Sequence, residues 1–363
     1  MKQSRILGSN HRNKVRKLFT LLLGVFCWVV AIINQRYLAE YHGAVSVRNG
    51  EAIFTKQAIE NVVEDMTQRK DSNIPEITLW KKEKDVLCAN ERINTSLTLS
   101  LVTVAGDINR IYPEPMLYGN ALFNEDYEGC IIDRNTAYKL FRSESVVGMK
   151  INTAGREFII RGVVKPTEGH AMIIRANKPE LAEEKVVKYS CMELVFSNAQ
   201  NATTSAKKFV SVSGNGNDNS TYYIDGYLYQ KLAERLIHIP IWFIALFIIG
   251  IFIIRVNSWK ASPILFFGGC LMVIILGIIM TKLTDFHLYY PNSLIPNRWS
   301  DFDFWVRQWK EMMSSLKERS EMIQYGKEIM LRKRYLNVVG GVVIAVIVEG
   351  FLIKDYCFGT RKL

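Results

Sequence analysis

The stretch GCIIDRNTAYKLFRSESVVGMKINTAGREFIIRGVVKP, Gly129 to Pro166, decides how this chain is read. Cys130 to Asp133 is a short buried-strand pattern, and Asp133 stands where a helix N-cap accepts from the free amides of RNTAYKLF. Ala137, Leu140 and Phe141 fall on one face of that helix. SESVVG ends it, with Gly148 free to take the positive φ that such a turn often requires. MKI, the tight turn NTAGR and EFIIRGVVKP follow as a hairpin. A strand, a helix and a hairpin packed as one unit predict a small α+β domain in which these residues, Asp133 included, are structural.

The sequence around this unit is oily. Of 363 residues 49% are hydrophobic, the formal net charge is +11, and the mean hydropathy of +0.05 is too apolar for a typical charged soluble enzyme. The excess charge lies beside apolar runs. Lys2, Arg5, Arg12, Lys14, Arg16 and Lys17 precede Leu18 to Ile33, as cytoplasmic flanks precede an inserted helix. Ile237 to Ile254, Ile264 to Met280 and Val338 to Ile353 are further runs near the lower length limit for a span. This placement excludes a basic, aromatic-studded face for nucleic acid and makes the lipid bilayer the partner.

Four spans with the basic N-terminus inside give a definite layout in the plasma membrane. Residues 1–17 form a cytoplasmic N-terminus, 18–36 an uncleaved anchor helix, and 37–236 an extracytoplasmic domain. Spans at 237–255 and 262–281 enclose a short inner turn, 256–261. Residues 282–336 are then an outer segment, 337–353 the last span and 354–363 a cytoplasmic tail. One feature runs against the charge rule, because Arg332, Lys333 and Arg334 precede the last span on its outer side.

Elsewhere in the outer region, Ala52 to Lys70 has helical apolar spacing at Ile53, Ile59, Val62, Val63 and Met66. ITLWKKEKDVLCA and TSLTLSLVTVAGD read as strands. Ser213 to Tyr229, glycine-rich at its start, lacks the ending of a phosphate loop and reads as a surface hairpin or loop. Trp305, Trp309, Met312, Leu316, Ile323 and Met330 draw one apolar stripe along a helix from Trp305 to Tyr335. Cys88, Cys130 and Cys191 permit at most one disulfide among them, and no cysteine spacing is of the metal type.

Within the last run, Gly341 and Ala345 form a small-xxx-small face for close helix packing, compatible with dimerisation. Glu349 is a carboxylate in an apolar helix, placed near the inner end where it reaches the interface or pairs with Lys354 or Arg255. There is no Walker A motif, no HExxH and no nucleophile elbow, and the five histidines are scattered. No catalytic, cofactor-binding or metal residue is assigned.

The segment Leu117 to Pro166 resembles the end of the MacB-type extracytoplasmic core domain of ABC transporter permeases. The residues that carry it are Gly119, Phe123, Asp126, Ala137, Leu140, Phe141, Gly148, Gly155, Phe158, Gly162 and Val163. The order of one span, a large outer domain and three spans is also that family's layout. The resemblance implies an α+β extracytoplasmic domain with a MacB-like core plus a four-helix transmembrane region. It also implies a MacB/FtsX-like permease subunit that is no enzyme itself, acting as a homodimer or with a sister permease. ATP then belongs to a separate cytoplasmic ABC ATPase, and motion of the outer domain serves export or force transmission. The inner turn, Arg255, Asn257, Ser258, Trp259 and Lys260, is where the resemblance puts the ATPase contact. Because that turn is short beside the family's coupling segment, the other reading is an ATPase-independent, membrane-anchored interaction or sensor protein.

Overall fold

The computed structural model describes residues 2–153, 155–166, 169–176, 187–199, 201–215, 221–257, 262–284, 303–321 and 325–359. In chain order the elements are α1 (Lys2–Ala39), β1 (Ala44–Asn49), β2 (Phe54–Thr55), α2 (Lys56–Gln68), β3 (Glu76–Asn90), β4 (Thr95–Ala105) and β5 (Tyr118–Gly119). Then come β6 (Gly129–Asp133), α3 (Arg134–Phe141), β7 (Lys150–Thr153), β8 (Arg156–Val164), β9 (Ala171–Arg175), β10 (Lys188–Tyr189), β11 (Cys191–Val195), α4 (Ala202–Val210) and β12 (Thr221–Asp225). The rest are helices: α5 (Gly226–Ile237), α6 (Ile239–Asn257), α7 (Pro263–Leu283), α8 (Phe304–Glu321) and α9 (Gly326–Gly359). They fall into two compact units, one of Tyr41–Tyr227 with Met313–Arg332, the other of Met1–Glu40, Leu228–Met312 and Lys333–Leu363.

The first unit is a mixed α/β domain. Its main sheet runs β12-β1-β11-β3-β4-β9-β6-β8-β5, with β7 bridging β3 and β8. The period of two along each strand sorts side chains onto opposite faces. In β6, Cys130 and Ile132 face the cluster that holds Ala137 and Leu140 of α3, while Ile131 faces Trp80, Val104, Ile173 and Tyr325. Cover on both faces explains why CIID is an unbroken apolar run before its terminal Asp. A third cluster sets Ile59 and Val62 of α2 and Phe209 and Val210 of α4 on Val45, Val47, Leu79 and Met192.

The opening stretch folds as its sequence predicts, with one shift. Asp133 Oδ1 accepts from the Thr136 amide at 3.0 Å, which starts α3. The helix ends at Arg142, which takes the left-handed conformation itself at φ 58, six residues before Gly148 at φ 86. Asp133 Oδ2 also accepts from the Thr136 hydroxyl at 2.6 Å and from the Ala171 amide, so one buried carboxylate joins α3 to β9. Gly155 takes φ 74 in the turn of the β7-β8 hairpin.

Two expectations are corrected. The helix from Trp305 to Tyr335 is two helices: α8 ends at Glu321, and α9 opens at Gly326 with φ 22. Gly326 is itself required there, since a Cβ on it would meet the Ile111 carbonyl oxygen. In the stretch Ser213 to Tyr229, Thr221–Asp225 pairs antiparallel with β1 and Gly226 starts a helix. Residues 216–220 of that stretch lie outside the described residues.

Among the described residues, three helices are long and apolar enough to cross a membrane, Val15–Ala39, Gly226–Ile254 and Gly326–Asp355, and most of each belongs to the second unit. The fourth expected span folds as α7, whose described apolar stretch, Phe266–Lys282, is shorter. Four spans are therefore not reached among the described residues. Arg16 and Lys17 each lie 3.7 Å from Asp355, which puts the basic end of α1 beside the far end of α9.

Candidate functional site

Among the described residues of the domain, a buried group holds four charges. Ser46 faces Glu193 across the β1-β11 ladder, and Arg48 follows two residues on, on the same face. Trp80 pairs with Cys191 in the next ladder, so its indole lies on that face too. Glu193 Oε1 accepts from Arg48 Nη2 at 2.5 Å and from Trp80 Nε1 at 2.9 Å. Its other oxygen accepts from the Ser46 hydroxyl at 2.6 Å and from the Lys327 ammonium.

Lys327 and Glu328 come from the first turn of α9. Glu328 receives the Arg48 guanidinium on Oε1, and Oε2 accepts from the Tyr325 amide at 3.2 Å, an N-terminal cap closed by its own helix. The Lys327 amide donates to Ile111 O at 2.8 Å. Tyr325 fits between Trp80 and Tyr112, with ring centroids 6.1 and 6.4 Å away. The Arg48 guanidinium carbon lies 4.6 Å from the centre of the Trp80 ring. Arg48, Glu193 and Lys327 are all at most 2% exposed and Glu328 is 7% exposed.

Two cations and two carboxylates cancel in formal charge, the condition under which such a group survives burial. Burial opposes the charge on Glu193, but Arg48 and Lys327 outweigh it and hold the carboxyl below its usual range. Burial likewise opposes the Arg48 charge, and Glu193 and Glu328 overcome it, raising its pKa. Tyr325 is pushed up by burial. These charged groups face one another and not a cleft, so the arrangement fixes chain position and offers no reacting atom to a substrate. It holds Tyr325 to Glu328 against the sheet.

Sequence reasoning did not single out these four residues. A signal was present, because Glu193 stands inside CMELVF and Arg48 inside AVSVRN, lone charges in apolar strands. Their partners lie 134 to 280 residues away, which local patterning does not report.

The residues that were singled out fare differently. Gly341 lies against α1 of the same chain, and Ala345 is buried. A Cβ on Gly341 would lie 2.6 Å from the Cys27 carbonyl oxygen and 3.0 Å from Ala31 Cβ. Gly24 opposes Val348 in the same way, at 2.8 Å from Cγ1. For Glu349, Oε2 is buried with no hydrogen-bond partner among the described residues, Lys354 is exposed, and the Arg255 side chain is not described. Arg255 and Asn257 end α6, while Ser258, Trp259 and Lys260 lie outside the described residues. Cys88, Cys130 and Cys191 are buried and free. Burial raises the Cys88 and Cys191 thiols to about 11. Among the described residues no group of three or more His, Cys, Asp or Glu is placed to hold a metal.

In the resembling segment, Asp126 accepts from Arg161 Nε at 2.9 Å beside an open cleft of about 560 Å³ that Phe123 and Val147 also line. A Cβ on Gly162 would lie 2.6 Å from the Asn120 carbonyl oxygen, so this glycine is required by close backbone approach.

No protein-family model matches the chain, and no curated protein does. Among solved structures the chain is similar to the extracellular domain of the noncanonic ABC-type transporter YknZ from Gram-positive bacteria. The identity is 15%, the TM-score 0.40, and the match covers 50% of this chain and 99% of that one. It is also similar to the periplasmic region of MacB from Actinobacillus actinomycetemcomitans, at 15% identity and a TM-score of 0.41, over 53% of this chain and 92% of that one.

Proposed function

We propose that the chain is a membrane permease subunit of the MacB/FtsX kind, in which a separate cytoplasmic ATPase drives motion of the outer domain for export or force transmission. The observation that carries this reading is the order of the chain. An apolar helix leads into an α+β domain that contains the strand, helix and hairpin of Leu117 to Pro166, and apolar helices follow. On this reading the domain makes and breaks no bonds, ATP is bound by the partner, and two permease chains act together. Arg255, Asn257, Ser258, Trp259 and Lys260 carry the ATPase contact.

A specific observation favours the second reading, an ATPase-independent interaction or sensor protein. Only residues 258–262 separate the end of α6 from the start of α7, little surface for a second protein. Affinity purification of the full chain in mild detergent separates the two. An ATPase is expected to co-purify and to be lost when Trp259 and Lys260 are both replaced by Ala. Recovery of no ATPase, with no effect of the replacement, rejects the transporter reading.

A further inference from the structure

Arg332, Lys333 and Arg334 stand where the charge rule does not expect them, and the second unit contains the layer to which the last two belong. Arg334 Nη1 donates to Asn34 Oδ1 at 3.3 Å and its guanidinium carbon lies 4.5 Å from the centre of the Tyr37 ring. Asn337 Nδ2 donates to the same Asn34 oxygen at 3.4 Å. Tyr335 meets Tyr229 edge to face with centroids 5.7 Å apart, and Trp28 Nε1 donates to Ile237 O at 2.9 Å. These contacts bring Asn34 and Tyr37 of α1, Tyr229 of α5 and Arg334 to Asn337 of α9 into one layer. It lies just outside the apolar runs that end at Ile33 and begin at Val338, and about 12 Å outside Ile237, which the Trp28 contact sets beside the run of α1.

At about 1.5 Å of rise per residue, Lys231 falls in this layer and Arg235 about 9 Å further in, a depth most of which an arginine stem spans. Five cations, Arg36, Lys231, Arg235, Lys333 and Arg334, thus meet two carboxylates, Glu234 and Glu40. Lys231 takes Glu234 at 3.1 Å, and Arg334 is committed to Tyr37 and Asn34. Arg36, Arg235 and Lys333 are exposed and make no ion pair among the described residues.

We propose that this collar binds the phosphate headgroups of anionic lipids in the leaflet at the Ala39 end of α1. The proposal rests on reading α1, α5 with α6, and α9 as spans. Its occupant follows from charge complementarity at headgroup depth, where each Lys or Arg strengthens attraction to an anionic surface roughly fivefold. Tyrosines locked in the same layer have the amphipathic form that suits this depth.

The test places the full-length protein in nanodiscs of phosphatidylcholine with and without phosphatidylglycerol, and counts retained lipid by native mass spectrometry. Wild type is expected to retain phosphatidylglycerol preferentially, with the preference falling as salt rises. The triple variant Arg36→Gln/Arg235→Gln/Lys333→Gln is expected to lose at least tenfold of it, and Arg36→Lys/Arg235→Lys to keep it. The salt series and the lysine variant decide the question even where the triple variant fails to fold. Equal retention by the triple variant, or loss only when Arg12 and Lys14 are replaced instead, overturns the proposal. So does saturation of detergent-solubilised protein by free glycerol phosphate as readily as by lipid, which assigns the collar to a soluble anion. Release of wild type from membranes by alkaline carbonate is a different failure, that of the spanning reading itself.

Discussion

Glu193 shows how much depends on one side chain. Its carboxylate accepts from Ser46, Arg48, Trp80 and Lys327 at once, so removing its charge leaves two buried cations short of a partner. Breaking a buried pair in this way costs about 3–5 kcal/mol. Glu193→Gln is therefore expected to lower the unfolding free energy of the domain by that amount in a denaturant titration. Replacing Glu193 by Gln and Lys327 by Met together should cost less than the sum of the two single changes, because the orphaned ammonium goes too. The pH dependence has a definite sign. The folded carboxyl sits below its ordinary 4.5, so in the acid range the unfolded chain binds the additional proton. The stabilisation is complete above that ordinary value and is lost as pH falls through the folded one. Thermal melts from neutral to acid pH should show this loss in wild type and a flatter profile in Glu193→Gln.

At the scale of elements, what was legible in the sequence is what local chemistry dictates. The Asp133 cap, the α3 face at Ala137 and Leu140 and the hairpin turn at Gly155 each depend on residues within a few positions, and each is found. The close approach of Gly326 to the Ile111 carbonyl was not legible, because that carbonyl lies far away in sequence. The pairing of Gly341 with α1 was not legible, since the glycine alone does not say that Cys27 and Ala31 lie opposite. That contact makes a sharp comparison between neighbours. A Cβ on Gly341 would press on the α1 backbone, whereas one on Gly340 meets nothing within 4 Å. Gly341→Leu is expected to destabilise the solubilised protein by about 1–3 kcal/mol, the usual range for overpacking. Gly340→Ala should be neutral or slightly stabilising, as for Gly to Ala in a helix. Thermal melts of both variants in one detergent decide it.

At the scale of the whole molecule, the buried cluster makes the domain discontinuous in sequence. Residues 41–227 supply the sheet, Arg48 and Glu193, but Tyr325, Lys327 and Glu328 arrive nearly a hundred residues later with Met313–Arg332. Tyr325 is 2% exposed between two aromatic rings, and Lys327 closes the charge balance of Glu193. A fragment of residues 41–227 alone therefore exposes Trp80 and Tyr112 and leaves Arg48 and Glu193 with one partner each among the four charges. Joining residues 313–332 to that fragment through a flexible linker is expected to raise its stability by about 3–5 kcal/mol, the scale on which a broken buried charge pair is felt. Denaturant titrations of the two fragments measure the difference. Equal midpoints would mean that the late segment rests on a domain already complete without it. A rise cut by Lys327→Met and Tyr325→Ala places the gain in the cluster, because those changes remove two of the contacts that the segment brings, beside that of Glu328 with Arg48.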